Sequence, residues 1–300
     1  MSSNRAMIGI LSLVFVFFIT LILFAYIAMQ SIQGDSVTKV NDSTKSIAVV
    51  EVSGVIMTSK KIIELLHKAE KDKKIKAIII RVNSPGGAVA PVQEVYDEML
   101  RINKKIPIYA SFATVAASGG YYIGSAARKI YANRGTLTGS IGVIMQFLNL
   151  SELYKLAKVS PETIKAGKYK DIGQPNRAMT DEEKALMNSM IGKVHQQFKD
   201  DILATRKDKL KKSIDELAQG QIFSGQEAYE LGLVDKLSSL WNAAREIHNE
   251  LKLEGEFQGV KFIKEKKKFS LMELADHLES AATKLLNLTA VSDGPVLMFK

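Results

Sequence analysis

Residues 75–87, which read IKAIIIRVNSPGG, join an apolar run to a glycine-rich turn, and this junction decides the fold. The β-branched side chains over 75–82 predict a strand. The Asn-Ser-Pro-Gly-Gly that follows predicts a sharp turn that presents a main-chain N–H, because glycines after a proline let the chain reverse closely. No Gly-Lys-Ser/Thr follows this turn, which argues against a phosphate-binding loop.

The alternation of elements continues on both sides of this strand. Apolar residues at helical spacing over 58–72 and 89–103 predict two helices, and β-branched runs over 46–52 and 107–112 predict two more strands. Strand, helix, strand, helix, strand implies right-handed crossovers and therefore a parallel sheet of α/β class. Functional residues of such sheets lie at the carboxyl ends of the strands.

The predicted elements divide the chain into five segments. Beyond the first parallel unit we expect strands over 129–132 and 142–148, a helix over 181–207, and helices over 239–252 and 270–288. The segments are a cytoplasmic N-terminus (1–6), a transmembrane anchor (7–29), a tether (30–45), one catalytic domain (46–240) and a C-terminal helical extension with an apolar tail (241–300).

The anchor is predicted from an uncharged apolar run over 7–29. A helix of that length can cross a hydrocarbon core of about 30 Å. A cleavable signal peptide would have a shorter apolar region and a small-x-small site, whereas Ala25, Ala28 and Ser31 are spaced three apart. Arg5 precedes the run and Asp35 is the first charge after it, so we expect a cytoplasmic N-terminus and an extracytoplasmic catalytic domain.

Composition excludes several kinds of chemistry. The net charge is +9, but the lysines alternate with acidic residues, which is typical of a solvated surface and not of nucleic-acid binding. The chain has no cysteine, which excludes disulfides, thiolate nucleophiles and cysteine-bound zinc. Its histidines lie on predicted helices without metal-ligand spacing, so we expect neither a Ser-His-Asp triad nor a metal or other cofactor: His67, His195, His248 and His277.

Ser118 is a candidate nucleophile. It follows two alanines and precedes Gly119 and Gly120, so a substrate backbone could approach it closely. Two interpretations are open on these residues. Ser118 could attack a carbonyl whose oxyanion is bound by the N–H of Gly119, or it could simply cap a helix that begins after a strand.

The base that would activate such a serine could be a lysine, provided that burial or nearby positive charge keeps it neutral. Lys165, Lys168 and Lys170 lie in a glycine-containing, non-helical stretch that could fold back over the sheet. The residues alone do not choose among these three lysines. The turn at 83–87 could supply a second oxyanion donor beside Gly119.

Four motifs make the chain resemble bacterial signal peptide peptidase A of the short, single-domain kind. They are NSPGG at 83–87, AASGGYY at 116–122, LTGSIGV at 137–143 and IKAGKYKD at 164–171. The resemblance covers 46–240 and implies a ClpP/crotonase-like α/β fold with a Ser-Lys dyad. It implies roles for five residues: Ser118 as nucleophile, Lys170 as general base, Ser140 orienting the lysine, and the N–H groups of Gly87 and Gly119 as oxyanion donors.

The resemblance also implies a biological setting. Members of this family degrade signal peptides left in the bacterial cytoplasmic membrane, and they assemble as homo-oligomers in which nucleophile and lysine come from different subunits. We therefore expect a single-pass membrane endopeptidase with peptide substrates. The tail at 296–299 does not align with the family pattern.

Three alternatives stay open at this point. A peptidase of the same fold could act on a partner membrane protein such as a stomatin-like protein. A non-catalytic assembly subunit could use Ser118 only as a helix cap. A crotonase-like acyl-CoA enzyme is disfavoured, because an extracytoplasmic domain would not meet coenzyme A.

Overall fold

One eight-stranded sheet forms the centre of the computed structural model, which describes residues 15–17, 19–20 and 45–264. Its strands are β1 (Ile47–Ser53), β2 (Ala77–Ser84), β3 (Ile108–Ala117), β4 (Ile130–Ala132), β5 (Leu137–Gly139), β6 (Ile222–Ser224), β7 (Lys236–Leu237) and β8 (Lys261–Phe262). The main order is β6-β5-β3-β2-β1-β8, and β4 pairs with β3 and β7 off this path. Every pairing is parallel except that of β5 with β6.

Helices connect the strands and cover both faces of the sheet. They are α1 (Lys60–Lys71), α2 (Val89–Asn103), α3 (Gly119–Ser125), α4 (Ser151–Leu156), α5 (Asp181–Arg206), α6 (Ile214–Leu217), α7 (Gly225–Glu230) and α8 (Leu240–Glu250), with a 3₁₀ turn at Lys207–Lys209. Helix α5 begins with a capping box in which Thr180 accepts a hydrogen bond from the N–H of Glu183 and the Glu183 carboxylate accepts one from Thr180.

Alternate residues of each central strand enter two different cores, as the period of two in a strand requires. Ala48 and Val50 of β1 belong to the larger core beneath α1, α2 and α3, whereas Ile47 and Val49 face α8. Residues of β2 from Ala77 to Ile80 are completely buried. Near-continuous burial is typical of parallel strands covered on both faces, and it fixes the register that brings the strand ends together.

The long strand β3 is shared by two short strands. Its first half pairs with β4 and its last three residues, Val115–Ala117, pair with β5. The carboxyl ends of β1, β2, β3 and β5 therefore meet at one edge of the sheet. This edge carries the two glycine-rich turns that the sequence singled out.

Within 45–264 the predicted elements are confirmed with starts at most two residues away, except that the strand predicted over 142–148 is wrong. The strand lies earlier, at Leu137–Gly139, and residues 141–150 have no regular structure. Gly139 and Ser140 both have positive φ, at 77° and 49°, which turns the chain out of the sheet. The apolar run that suggested a strand then lies exposed from Ile144 onward.

Several predicted segments fall beyond the described residues. These are 1–6, nearly all of the tether, the helix over 270–288 and the tail at 296–299. The anchor over 7–29 is described only at 15–17 and 19–20, which are helical and exposed. Among the described residues, none of the helices combines the length and the apolar character needed to cross a membrane. Strand β8, which follows residue 240, adds to the same sheet beside β1.

Candidate active site

Ser118 occupies a strained turn directly after β3. Its φ of 52° and ψ of −119° lie in a region that residues with a Cβ rarely adopt. Its N–H donates to the carbonyl of Gly139 at 2.9 Å, which ties the turn to β5. Its side chain makes no capping hydrogen bond to α3, unlike Ser213 and Ser224, which cap their helices. The hydroxyl of Ser118 is therefore not used as a helix cap.

The turn after β2 is packed directly against Ser118. A methyl group added at Gly86, whose φ is +106°, would lie 2.7 Å from the main-chain nitrogen of Gly119 and 3.0 Å from the Cβ of Ser118. One added at Gly120 would lie 2.7 Å from the carbonyl oxygen of Ser84. Only glycine allows this approach, so the two glycine-rich turns form one unit.

Ser84 holds the second turn in place. Its hydroxyl donates to the carbonyl of Gly54 at 2.6 Å and accepts from the N–H of Gly86 at 3.1 Å. Serine in a turn often bonds its own backbone two residues on, and Asn-Ser-Pro-Gly-Gly carries that signal. The motif was predicted only as a backbone site, and the role of the Ser84 side chain was not predicted.

The N–H of Gly87 is directed by a bridge to the strap of residues 54–58. The N–H of Ile56 donates to the carbonyl of Gly86 at 2.9 Å, and the N–H of Ala88 donates to the carbonyl of Ile56 at 2.8 Å. In a parallel bridge of this kind, the N–H of the middle residue, here Gly87, points away from the partner strand. It lies on the side of Gly119, whose added Cβ would be 3.3 Å from the nitrogen of Gly87.

These groups open onto one cleft of about 340 Å³. Its polar part is formed by Ser118, Gly119, Gly87 and Ser140. Ser140 follows β5, and its N–H donates to the carbonyl of Gln221 at 2.6 Å, which fixes it beside β6. The structure therefore brings four of the five predicted site residues together.

The apolar wall of the cleft comes from α2, α3, α5 and the segment after β5. Its side chains are Val89, Val92, Tyr122, Val143, Ile144, Val194 and Phe198. The rings of Tyr122 and Phe198 are 4.5 Å apart, and the hydroxyl of Tyr122 donates to the carboxylate of Asp201. Burial, with Asp201 nearby, raises the pKa of Tyr122, so this wall carries a neutral phenol.

The contribution of α5 to this wall was not predicted from the sequence. The helix was predicted, but most of its residues are exposed, and its buried face is limited to a few positions. The pair Phe198 and Ile202, spaced four apart, was the available signal for the face that packs on the domain.

Lys170 lies apart from this cleft. Lys170 is exposed in a turn that covers 168–173, and its N–H donates to the carbonyl of Gly167 at 3.3 Å. Arg177, which donates to Asp171 beside Lys170, also donates to Glu183 near the start of α5. Val194, which lines the cleft, lies eleven residues after Glu183 on that helix, so about 16 Å separates the two positions along the helix axis. Within one chain, Ser118 and Lys170 are therefore not brought together.

The three candidate lysines differ in their partners. Lys165 pairs with Asp171 at 2.5 Å and Lys168 pairs with Glu182 at 2.6 Å. The hydrogen bond that Lys168 donates to the Glu182 carboxylate raises the pKa of Lys168, which disfavours the neutral form that a base requires. Across 45–264, the side chain of Lys170 forms no ion pair. Lys170 is thus the lysine of the three that is free to enter another environment.

One cluster elsewhere has the ligand types of a metal site. His67, Glu70 and Glu98 bring one ligand atom each within 4.8 Å of one another between α1 and α2. Arg101 already forms hydrogen bonds to both carboxylates, and this lowers the pKa of Glu70 to about 2. The cluster is a charge-compensated contact between two helices, and none of its three residues lines the cleft.

Comparison with known proteins agrees with this geometry. The model of peptidase family S49 matches residues 100–254, more than half of the chain, and the model of Clp protease matches residues 28–153. The first match includes Ser118, Gly119, Ser140 and Lys170, and the second includes Gly87.

Individual relatives are similar to the chain over about two thirds of its length. A Synechocystis sp. protein named "Putative protease slr0021" is 42% identical over 197 residues, which are 65% of this chain and 70% of the relative. An Enterococcus faecium protein named "Putative signal peptide peptidase SppA" is 38% identical over 63% of this chain. The chloroplastic serine protease SPPA of Arabidopsis thaliana is 36% identical, also over 63%. The matches span only 55% and 28% of these last two relatives.

Fold, site and comparisons point the same way. The mixed α/β sheet carries a serine in a strained turn at its carboxyl edge, beside two glycine-rich turns, and this part of the chain lies within the ranges that match two families of peptidases. The chain belongs to peptidase family S49 and is a serine peptidase with a ClpP-like α/β fold.

Proposed function

We propose that the chain is a membrane-anchored serine endopeptidase in which Ser118 attacks the peptide bond and Lys170 of a neighbouring copy is the general base. Ser140 orients the amine of that lysine, and the N–H groups of Gly87 and Gly119 bind the oxyanion. The observation that carries the proposal is the backbone of Ser118, held at φ 52° in a cleft with both glycines. Strain of this kind persists only where surrounding structure imposes it, and it is concentrated at active sites.

The proposed reaction has two stages. Neutral Lys170 takes the proton of the Ser118 hydroxyl as Oγ bonds to the scissile carbonyl carbon, and the resulting oxyanion accepts hydrogen bonds from Gly87 and Gly119. When the C–N bond breaks, the protonated lysine gives its proton to the leaving amine, and an acyl-enzyme remains. Water, deprotonated by the same lysine, then attacks the ester carbonyl. When the bond from that carbon to Oγ breaks, the lysine returns the proton to Oγ of Ser118 and the acid product leaves. Each oxyanion donor contributes about 3–4 kcal/mol to lowering the barrier.

Pairing between two copies is supported by the position of Lys170 and by the surface around it. The segment after β5 carries apolar side chains that are largely exposed in one chain: Ile144 at 85%, Leu148 at 64%, Leu156 at 81% and Ile164 fully. Exposed apolar side chains at this density are typical of an interaction surface. A second copy of this chain would cover them and could place Lys170 in the neighbouring cleft.

The substrate proposal follows from the wall of the cleft and from the predicted anchor. Valine, isoleucine and aromatic side chains would accept small or aliphatic residues beside the scissile bond. Cleaved signal peptides are short apolar segments in the membrane, and an anchor over 7–29 would raise the local concentration of enzyme around them. We place the catalytic domain on the extracytoplasmic side of a bacterial cytoplasmic membrane. One of the relatives carries signal peptide peptidase in its name.

The test uses the full chain in detergent or vesicles with fluorogenic peptides. Ser118→Ala and Lys170→Ala should each abolish cleavage without changing the oligomer mass, and Lys168→Ala, in the same turn, should stay within about threefold of the unmodified chain. A Lys170→Ala variant with normal turnover at neutral pH would refute the base assignment.

A second panel tests the substrate. Isolated signal peptides should be cleaved, and a stomatin-like membrane protein should not; the opposite result would assign the enzyme to a partner membrane protein. Preference for acidic or basic side chains beside the cleaved bond would contradict the apolar cleft.

A further inference from the structure

The segment that carries Lys170 changes character abruptly at the next residue. Every residue over 155–170 is exposed, and Asp171 is then buried, with 9% of its side chain accessible. A carboxylate is buried only where partners compensate its charge. Asp171 therefore marks the point at which the exposed segment is attached to the domain.

Two side chains compensate Asp171. Arg177 donates from Nε to one carboxylate oxygen at 2.9 Å and lies 2.9 Å from the other through its terminal nitrogen, and Lys165 contacts the same carboxylate. A guanidinium that engages both oxygens fixes direction as well as distance. The hydrogen bonds that Arg177 and Lys165 donate lower the pKa of Asp171, which favours its ionised form.

Arg177 continues the connection to α5. Its two terminal nitrogens donate to the two oxygens of Glu183 at 2.8 and 2.6 Å. Glu183 is 5% accessible and also accepts the N–H of Thr180 as part of the capping box. Asp171, Arg177 and Glu183, which we call the anchor triad, thus attach the Lys170 turn to the first turn of a 26-residue helix.

The turn itself leaves room for the stem of Lys170. Gly167 has φ +106°, and a methyl group added there would lie 3.2 Å from Cγ of Lys170. The N–H of Ile172 donates to the carbonyl of Tyr169, and that of Gln174 to the carbonyl of Asp171. Lys170 therefore projects from a short, internally bonded turn whose fixed end is the anchor triad.

We propose that Asp171 is a positioning residue for Lys170, holding the lysine turn on α5 through Arg177 and Glu183. This inference rests on the proposed function of Lys170 as the base. A base on an exposed segment must be ordered before it can accept a proton, and that ordering costs free energy in every turnover unless the segment is fixed beforehand. Small misplacements of a catalytic group can cost about a hundredfold in rate.

The same turn contains a matched control. Lys168 and Glu182 also join the turn to the start of α5, but they are 66% and 56% accessible. Exposed ion pairs contribute little to holding a structure. Removing this pair changes the local charge without releasing the anchor triad.

The experiment compares Asp171→Asn with Glu182→Gln in the full chain, measuring kcat, KM, oligomer mass and melting temperature. We expect Asp171→Asn to lower kcat about 10- to 100-fold with KM within about threefold, and Glu182→Gln to leave both within about threefold. Arg177→Gln removes the same connection without changing the residue next to Lys170, so its kcat should fall as much as that of Asp171→Asn. If Asp171→Asn does not fold, Arg177→Gln provides the test.

A double variant separates positioning from general structural damage. In a Lys170→Ala background there is no base to position, so adding Asp171→Asn should not lower the residual rate further. A further drop as large as in the unmodified chain would overturn the inference, as would an Asp171→Asn enzyme that behaves like Glu182→Gln. If Lys170→Ala alone keeps full activity, the assignment of Lys170 as the base fails, and the inference about Asp171 fails with it. In the other two outcomes Lys170→Ala is inactive, so the two kinds of failure can be distinguished.

Discussion

Replacing Gly86 with alanine perturbs the contact on which the proposed oxyanion hole depends. The new methyl group would lie 2.7 Å from the nitrogen of Gly119, which is closer than Cβ atoms approach other atoms in folded proteins, and 3.0 Å from Cβ of Ser118, which is tighter than most Cβ contacts. The atoms that the methyl group would meet are a main-chain nitrogen and a Cβ, so no flexible side chain can move aside to make room. The two glycine-rich turns must therefore separate.

The expected size of the effect has two parts. Alanine at φ +106° stores about 1–3 kcal/mol of backbone strain, which lowers stability. Relieving the overlap moves the N–H of Gly119 by roughly half an ångström or more, which should forfeit much of one oxyanion donor, about 10²–10³ in kcat. Turnover of a fluorogenic peptide under saturating conditions, with thermal unfolding measured on the same sample, separates these two parts.

Gly54 provides the control for this substitution. It also has positive φ, at +72°, and lies at the end of β1 in contact with the same turn through Ser84, but a methyl group there would meet no atom within 4 Å. Gly54→Ala should lose stability while keeping kcat within a few-fold. If Gly86→Ala retains kcat as well as Gly54→Ala does, the N–H of Gly119 is not an oxyanion donor in the position described.

Three further predictions concern stability and pH. The side chain of Arg206 is fully buried and pairs with Asp235 at 2.9 Å. Arg206→Leu leaves that carboxylate without its main partner and should lower the free energy of unfolding, measured in urea, by about 3–5 kcal/mol; a loss below about 1 kcal/mol would contradict this. Tyr122→Phe removes the hydroxyl contact to Asp201 and should cost about 1–3 kcal/mol with KM nearly unchanged; a large rise in KM would instead assign the hydroxyl to substrate binding. Arg177 and the capping-box bond hold the pKa of Glu183 at about 2, below its unfolded value, so its contribution is present above about pH 4.3 and is lost as pH falls through 2. The difference in melting temperature between the unmodified chain and Glu183→Gln should therefore shrink as pH falls from 5 toward 2, and a constant difference would refute the role of its charge.

The parallel sheet was predictable because its evidence is local. The β-branched run at 77–84 and its neighbours carry the strand signal in their own side chains, and glycine-rich turns mark where each strand ends. The strand predicted from the apolar run after Ser140 was wrong, because apolar side chains on an exposed interaction surface and apolar side chains buried in a sheet are of the same residue types. Only the positive φ values at Gly139 and Ser140 reveal that the chain leaves the sheet there.

The residues of the candidate site also differ in whether the local sequence indicates them. Ser118, Gly87 and Gly119 lie in turns whose composition indicates close backbone approach, and the structure gathers them with Ser140. Lys170 had no such signal, because nothing local distinguishes it from Lys165 and Lys168. Its distinction is that its neighbours are ion-paired and it is not, which depends on partners as distant in sequence as Glu182. Resemblance, not residue chemistry, selected it.

Mixing two inactive variants tests the pairing of Ser118 with a neighbour's Lys170 most directly. Ser118→Ala and Lys170→Ala chains are co-expressed with different tags and the mixed oligomers are purified. If subunits mix at random and each site takes its serine and lysine from different chains, about a quarter of the sites regain both groups and about a quarter of the activity returns. If mixed oligomers form and remain inactive, the two residues act within one chain and the account is contradicted.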